Sequence, residues 1–174
     1  MNPAELATKL PPRLGRWWKE LSGGALAYGL DVYLLAAIMD RESLGGEALK
    51  PPNSAGTGDR GHGHGLMQID SGSHRDFLVA LFDDGVPLWT DPAFNVLYAA
   101  RLLHRNLATL GGDYVPAVAA YNAGLSRVRR ALLKLPKYPT PQVKLATVDA
   151  LTTGKDYVSD VLRRRAKFTS EALV

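Results

Sequence analysis

The sequence predicts a mainly α-helical domain with one small, irregular β segment. Most apolar residues recur at intervals of three or four, which is the spacing of one helix face. The exception is residues 50–65, where two adjacent prolines and five glycines exclude a helix and indicate a loop or short β structure. A chain of 174 residues has the length of a single domain, so we expect one core.

The first part of the chain predicts two helical regions before this β segment. Residues 1–28 form an N-terminal helical segment that we expect to be broken near Gly23-Gly24. Asp31 has the side chain of a good N-cap and precedes a helix that extends through Leu44. Gly45-Gly46 should stop this helix and lead the chain into the β segment.

Four further helices are predicted in the second half, over about residues 92–110, 117–121, 126–135 and 154–168. The first of them begins with an N-cap followed by a proline, Asp91-Pro92, and its apolar run includes Phe94 and Leu97. Three prolines within residues 136–141 predict an extended connection before the last helix.

The composition excludes several kinds of site. The absence of cysteine removes disulfides, thiolate nucleophiles and metal centres that need thiolate ligands. The longest uncharged apolar stretch, Val32 to Met39, is too short to span a bilayer. The N-terminus has no basic segment followed by a long apolar run, so we expect no secretory signal and synthesis in the cytoplasm.

Charge is distributed unevenly along the chain. Residues 1–124 carry a net charge of −3, whereas residues 125–174 carry +7. Such a basic end is typical of proteins that meet a polyanion, whether nucleic acid, an anionic membrane or an anionic cell-wall polymer. Ordinary solvated helix faces would give the same composition.

One carboxylate falls on the predicted core face of the second helix. The apolar stripe of this helix is Leu35, Ile38 and Met39. Glu42 follows at helical spacing and therefore lies on the same face. Loss of hydration among aliphatic side chains disfavours the charged form, so we expect the pKa of Glu42 to rise towards neutrality, as a general acid requires. A glutamate at the core edge, paired with a nearby arginine, is the alternative interpretation.

Two more carboxylates, Asp59 and Asp70, flank the glycine-dense stretch directly downstream. Glycines permit close approach of the backbone to an extended ligand. One buried acid with separate carboxylates on a neighbouring loop is the outline of glycoside hydrolysis, in which an acid protonates the departing oxygen and a second carboxylate activates water.

Short motifs follow one another in a fixed order from about Leu30 to Phe168. They are Arg41-Glu42-Ser43, Gly58-Asp59-Arg60-Gly61, Gly65-Leu66-Met67-Gln68-Ile69-Asp70 with His74 beyond it, Ala120-Tyr121-Asn122-Ala123-Gly124, and Asp156-Tyr157. In this order they resemble the goose-type lysozymes. The Glu-Ser, Gly-Leu-Met-Gln-Ile and Ala-Tyr-Asn-Ala-Gly motifs are shared with the soluble lytic transglycosylases, whereas Gly-Asp-Arg-Gly and the aspartate that closes Leu-Met-Gln-Ile-Asp are more particular to the goose-type group.

The resemblance implies a lysozyme-like helical fold and cleavage, with inversion, of the β-1,4 bond between N-acetylmuramic acid and N-acetylglucosamine in peptidoglycan. It implies that Glu42 is the general acid and that Asp70, with Asp59, positions or activates water. The residues expected to bind substrate or lie at its cleft are Ser43, Gln68, His74, Tyr121, Asn122 and Tyr157. No cofactor or metal is implied, and we expect a monomer that the basic residues 125–174 hold near the anionic cell wall.

Hydrolysis is preferred over transglycosylation at this point because the chain supplies Asp70 and Asp59 for water, whereas a lytic transglycosylase needs only the acid. Inversion would put the carboxylates of Glu42 and Asp70 about 6.5–9.5 Å apart. Without a secretory signal, the enzyme would reach the wall after cell lysis or by a dedicated export route, which favours a phage lysin or a similar leaderless bacteriolytic enzyme.

Other functions explain fewer of these motifs. His62, His64 and His74 with the aspartates could ligate a metal, but no His-Glu-x-x-His pattern accompanies them. The glycines lack the Gly-Lys-Ser/Thr of a nucleotide-binding loop. Arginines within residues 127–130 and 163–165 could contact DNA, yet no helix-turn-helix or RNA-binding signature is present, so we expect no specific nucleic acid. A transglycosylase, a chitin-cleaving relative and a non-catalytic saccharide-binding module are the open alternatives.

Overall fold

The computed structural model describes residues 9–171 and confirms a mainly helical fold with one small β segment. The first eight residues of the predicted N-terminal segment lie outside this range. The helices are α1 Pro12–Gly15, α2 Trp18–Tyr28, α3 Val32–Ser43, α4 Arg75–Leu78, α5 Pro92–Thr109, α6 Tyr114–Ala123, α7 Leu125–Leu132, α8 Pro141–Asp149 and α9 Tyr157–Glu171. None of these helices is both long and apolar enough to cross a membrane.

The described residues form two compact units. Unit 1 consists of residues 9–101 and 165–171, and unit 2 of residues 102–164. Helices α5 and α9 therefore contribute residues to both units.

Unit 1 contains a three-stranded antiparallel sheet, which follows α3 in the chain. Its strands are β1 Thr57–Gly58, β2 Gly63–His64 and β3 Ile69–Asp70, in that spatial order. Gly63 pairs with Gly58 on one side and with Asp70 on the other. Because neighbouring strands lie about 4.8 Å apart, Asp70 and the end of β1 are about 10 Å apart across the sheet.

Helix α3 forms the core of unit 1. The Asp31 carboxylate accepts hydrogen bonds from the backbone N–H of Tyr33 at 2.8 Å and of Leu34 at 3.4 Å, so the predicted N-cap is confirmed. Every residue from 33 to 40 is buried, which means that this helix is enclosed on all sides. It ends where Leu44 adopts a left-handed conformation with φ 51°.

The predicted helix break at Gly23-Gly24 is wrong, because α2 runs through both residues. A side-chain carbon on Gly24 would lie 3.2 Å from Val96 and 3.4 Å from Leu35, so the glycine lets α2 approach its neighbours closely. The break between helices comes earlier, at Arg16 and Trp17, between α1 and α2.

Helix α5 has the predicted cap and length, but its buried face is not the predicted one. Phe94 is 42% exposed and Leu97 38% exposed, whereas Asn95 and Val96 are fully buried. The face turned to the interior therefore includes a polar residue, which sequence periodicity assigned no role.

In unit 2, two predicted helix starts and one predicted extended connection are wrong. Helix α6 begins at Tyr114 with Asp113 as its cap, so Pro116 lies inside its first turn and does not start it. The extended connection predicted after residue 135 is interrupted by α8, for which Thr140 is the N-cap and Pro141 the first residue. The last helix begins at Tyr157, three residues later than expected.

Candidate active site

Glu42 lies in the last turn of α3 and is half-buried. The turn that follows it is fixed by contacts from the N-terminal part of unit 1. The carbonyl of Gly45 accepts hydrogen bonds from the guanidinium of Arg16 at 2.6 Å and from the indole N–H of Trp17 at 2.8 Å. A side chain at Gly45 would collide with the backbone of Arg13, so only glycine allows this approach.

A buried ion pair supports the same end of α3. The guanidinium of Arg13 donates to both carboxylate oxygens of Asp40, at 2.7 and 3.2 Å. The Asp40 side chain is only 2% exposed, whereas that of Arg13 is 34% exposed. Because an unpaired buried carboxylate is costly, this pair holds α1 against α3 two residues before Glu42.

Ser43 joins the end of α3 to the segment that leads into β3. Its hydroxyl donates to the carbonyl of Leu66 at 2.7 Å and accepts from the N–H of Gly46 at 3.0 Å. The residue is 1% exposed. Because its hydroxyl is buried and hydrogen-bonded, Ser43 positions the neighbours of Glu42. The sequence predicted a direct contact with substrate instead.

The glycine-dense stretch makes room for one side chain, that of Gln68. The paired residues Gly58 and Gly63 face its amide, since a side-chain carbon at either position would lie 2.2 Å from Oε1 of Gln68. The same amide donates to the carbonyl of Gly65 at 2.9 Å. Gln68 is half-buried, and its backbone is left-handed with φ 48°. The glycines are therefore needed for packing as well as for turns.

Asp70 ends β3 with an exposed carboxylate. Its Oδ2 accepts a hydrogen bond from the backbone N–H of Ser73 at 2.8 Å, and its carbonyl accepts from the N–H of His74 at 3.0 Å. No residue in the described range donates a hydrogen bond to Oδ1. One carboxylate oxygen is thus oriented by the backbone, and the other faces solvent.

Asp59 follows β1 in a tight turn and is exposed. Asp59 and Arg60 both have left-handed backbones, with φ of 46° and 55°. Aspartate tolerates this conformation better than most residues. Within residues 9–171 its carboxylate accepts no hydrogen bond, so the backbone of the turn alone directs it.

His74 lies next to a tyrosine that the sequence analysis did not single out. The hydroxyl of Tyr98 is 3.2 Å from Nδ1 of His74, and the two rings meet edge to face. Phe77 stacks on the ring of Tyr98, with 4.0 Å between the two ring centroids. Helical spacing alone gives no sign of this contact between His74 and Tyr98.

Asn95 is a second residue that the sequence analysis missed. Its side chain is fully buried, accepts from the N–H of Met67 at 2.9 Å and donates to the carbonyl of His64 at 3.1 Å. A side-chain carbon at Gly65 would lie 2.4 Å from the Asn95 amide. Asn95 therefore fixes the loop between β2 and β3. The sequence signal for this role is a polar residue on the buried face of α5.

The histidines of the β segment have contacts of their own. Nδ1 of His64 lies 3.1 Å from the carbonyl of His62, and its ring meets Trp89 edge to face at 4.8 Å. Trp89 is half-buried. Residues 9–171 contain no group of three His, Asp or Glu side chains arranged to hold a metal ion.

The other predicted site residues belong to unit 2. Tyr121 and Asn122 end α6 and are half-buried, and Oδ1 of Asn122 accepts from the N–H of Thr153 at 2.9 Å. This bond anchors the turn before α9. Tyr157, the first residue of α9, is 2% exposed and packs inside unit 2.

Comparison with known proteins places this arrangement in a family. Residues 22–140 match the family described as Transglycosylase SLT domain. The chain is 30% identical to lysozyme g of Cyprinus carpio over 151 residues, which are 82% of this chain and 66% of the relative. It is 29% identical to a transglycosylase of Enterobacteria phage PRD1 over 129 residues, 74% of this chain and 42% of that protein.

A solved structure shows the same fold. The inactive mutant E503Q of lytic transglycosylase Slt from Pseudomonas aeruginosa is 25% identical, with a TM-score of 0.66. The similarity covers 87% of this chain and 24% of that one. This chain spans about two thirds or less of the curated relatives named above. The family match covers more than half of the chain, and the chain therefore belongs to the transglycosylase SLT domain family, the lysozyme-like family that also includes relatives named lysozyme g.

Proposed function

We propose that this chain cleaves the β-1,4 bond between N-acetylmuramic acid and N-acetylglucosamine in peptidoglycan by hydrolysis with inversion. The observation that carries the proposal is that unit 1 contains Glu42 at the end of a buried helix and two exposed carboxylates in the β segment that follows, which Ser43 ties to the end of this helix through its hydrogen bond to Leu66. Inverting glycosidases need such an acid and a separate carboxylate that activates water.

Glu42 acts as the general acid. It is half-buried in the last turn of an enclosed helix. Proton donation to the departing oxygen contributes about 10²- to 10⁴-fold in rate.

Asp70 acts as the general base, with Asp59 in a lesser role. The hydrogen bond from Ser73 fixes one oxygen of Asp70, while Oδ1 is available to a water molecule. The proposal requires about 6.5–9.5 Å between the carboxylates of Glu42 and Asp70, which leaves room for that water. Gln68 and His74, which also belong to unit 1, bind the glycan or shape its cleft.

Lytic transglycosylation is the second candidate, and the family match and the solved relative favour it. In that reaction the 6-hydroxyl of the sugar itself displaces the leaving group. One catalytic acid suffices, and the product is an anhydro-sugar lighter by one water. Glu42 would have the same role, whereas Asp70 and Asp59 would not be needed for water.

Mass spectrometry of the products from purified peptidoglycan distinguishes the two reactions. Reducing muramyl ends are expected for hydrolysis, and anhydro-muramyl ends as the main product would replace the first proposal by the second. Digestion of chitin under the same conditions tests the chitin-cleaving alternative. Sugar binding without any product would contradict both.

The net charge of +7 on residues 125–174 attracts the enzyme to the anionic cell wall. Lysis of whole cells should therefore decrease as salt rises, because the Debye length shortens from about 30 Å at 0.01 M to about 8 Å at 0.15 M. Cleavage of a short neutral chito-oligosaccharide, measured in parallel, should change much less. Equal salt sensitivity of the two substrates would contradict this role of the charge.

A further inference from the structure

The basic residues of the C-terminal third fall into two groups that differ in their partners. In α9, Arg163 and Arg164 both bind the buried carboxylate of Asp160, and Arg165 binds Asp31 at 2.5 Å. These three arginines therefore pair with carboxylates of the protein itself. A cluster of arginines in the sequence therefore does not by itself mark a binding surface.

In the second group, only one cation has such a partner among the described residues. Residues 125–148 contain six Lys or Arg and no Asp or Glu. Lys144 pairs with Asp113 at 2.8 Å. The other five make no ion pair within residues 9–171, and all are exposed; they are Arg127, Arg129, Arg130, Lys134 and Lys137.

Helix α7 contains three of these cations, Arg127, Arg129 and Arg130, and all three are exposed. Val128 is fully buried, so the helix packs through that face and presents the other. Arg129 and Arg130 precede Leu133 by four and three residues, the spacing of neighbours on a helix surface. Leu133, the residue that follows the helix, continues its right-handed backbone with φ −64° and ψ −18°.

Two large, apolar or amphipathic side chains project within this basic surface. Leu133 is 85% exposed and Tyr138 is 83% exposed. The ammonium of Lys137 lies 5.3 Å from the ring centre of Tyr138. The cations alone would recognise a soluble polyanion. Such a ligand therefore does not account for the exposed side chain of Leu133.

We propose that α7 and the following turn, residues 125–138, dock on the surface of an anionic lipid bilayer. Cations on one face, with a leucine and a tyrosine between them, match a helix that lies in the membrane interface: the cations meet anionic headgroups and the apolar groups enter the headgroup boundary. The contact is peripheral, and it is additional to the cleavage of glycan.

The test is co-sedimentation of the purified chain with vesicles of phosphatidylglycerol and phosphatidylcholine, compared with vesicles of phosphatidylcholine alone. We expect at least about tenfold stronger partitioning to the anionic vesicles, decreasing with salt. Arg129→Gln with Arg130→Gln should weaken it about tenfold or more. Leu133→Ser, and independently Tyr138→Ser, should weaken it several-fold at unchanged charge.

The matched control is Lys19→Gln with Arg105→Gln, which removes the same charge from exposed positions elsewhere. It should change partitioning far less. Equal loss in the control, or no preference for anionic vesicles, would overturn the proposal. So would normal vesicle binding by Leu133→Ser together with displacement by soluble polyphosphate, because that result indicates a site for a phosphate polymer. Vesicle binding needs no turnover, so failure here leaves the proposed glycan cleavage unaffected.

Discussion

The end of α3 and the turns of the sheet hold their carboxylates by different means. Around Glu42, side chains from distant parts of unit 1 fix the helix end, through the Arg13–Asp40 pair and the hydroxyl of Ser43. Around Asp59 and Asp70, the backbone fixes the local structure, through residues with left-handed φ and one N–H group that donates to Asp70. Glu42 therefore depends on packing between segments, whereas Asp59 and Asp70 depend on the conformation of glycine-rich turns.

The largest expected effect concerns Glu42, at the end of α3. Glu42→Gln keeps the shape of the side chain and removes its proton, so peptidoglycan cleavage should fall about 10²- to 10⁴-fold with the fold retained. Glu47→Gln, an exposed neighbour, is the matched control and should cleave normally. A folded Glu42→Gln enzyme with more than about a tenth of normal turnover would exclude Glu42 as the acid.

The next effect separates the two carboxylates of the sheet. Asp70→Asn should reduce hydrolysis about 10²-fold, because Asp70 is oriented by Ser73, whereas Asp59→Asn should cost less than about tenfold. Initial rates on purified peptidoglycan measure both. Near-normal activity of Asp70→Asn would favour transglycosylation and would contradict the expected difference between Asp70 and Asp59.

A third experiment tests how much the backbone conformation and close packing at Gly65, between β2 and β3, contribute to stability. Gly65→Ala adds strain at φ 70° and a collision with the buried amide of Asn95, so unfolding free energy should fall by about 2–4 kcal/mol. Gly29→Ala is the control, with φ 61° and no atom in the way, and should cost about 1–2 kcal/mol. Urea unfolding of both variants gives the difference, and equal losses would show that the Asn95 contact contributes nothing.

The smallest effect concerns the support of α3. Arg13→Gln leaves Asp40 buried without its cation, but Arg13 is one third exposed and solvent weakens the pair, so we expect a loss of about 1–2 kcal/mol. Lys19→Gln removes an equal charge from an exposed site of the same region and should be neutral. If both variants unfold at the same urea concentration as the parent, the ion pair does not stabilise this end of the helix.

Local signals in the sequence predicted the elements that carry the site. Asp31 was recognised as a cap because its carboxylate satisfies N–H groups only two and three residues away. The Thr140-Pro141 pair is the same kind of signal as Asp91-Pro92, but the prolines near it indicate an extended chain and obscure the start of α8. The position of Glu42 beside Leu35, Ile38 and Met39 followed from helical spacing.

Other features could not be predicted because they depend on residues far apart in the chain. The contacts of Asn95 with Met67 and His64 join segments about 30 residues apart. The continuous helix through Gly24 depends on the close approach of Leu35 and Val96. Periodicity describes one helix at a time, so it cannot say which face a neighbouring element will cover.

The sequence by itself determined the fold class, the order of the motifs and the residue types that glycan chemistry requires, because caps, turns and helical spacing act over a few residues. Tertiary structure alone decided that Ser43 is a buried link, that Gln68 lies over two glycines, and that the arginines of α9 pair with carboxylates while those of α7 do not. Each of these outcomes depends on which distant group supplies the hydrogen bond, the space or the opposite charge, and folding of the whole chain is what brings that group into contact.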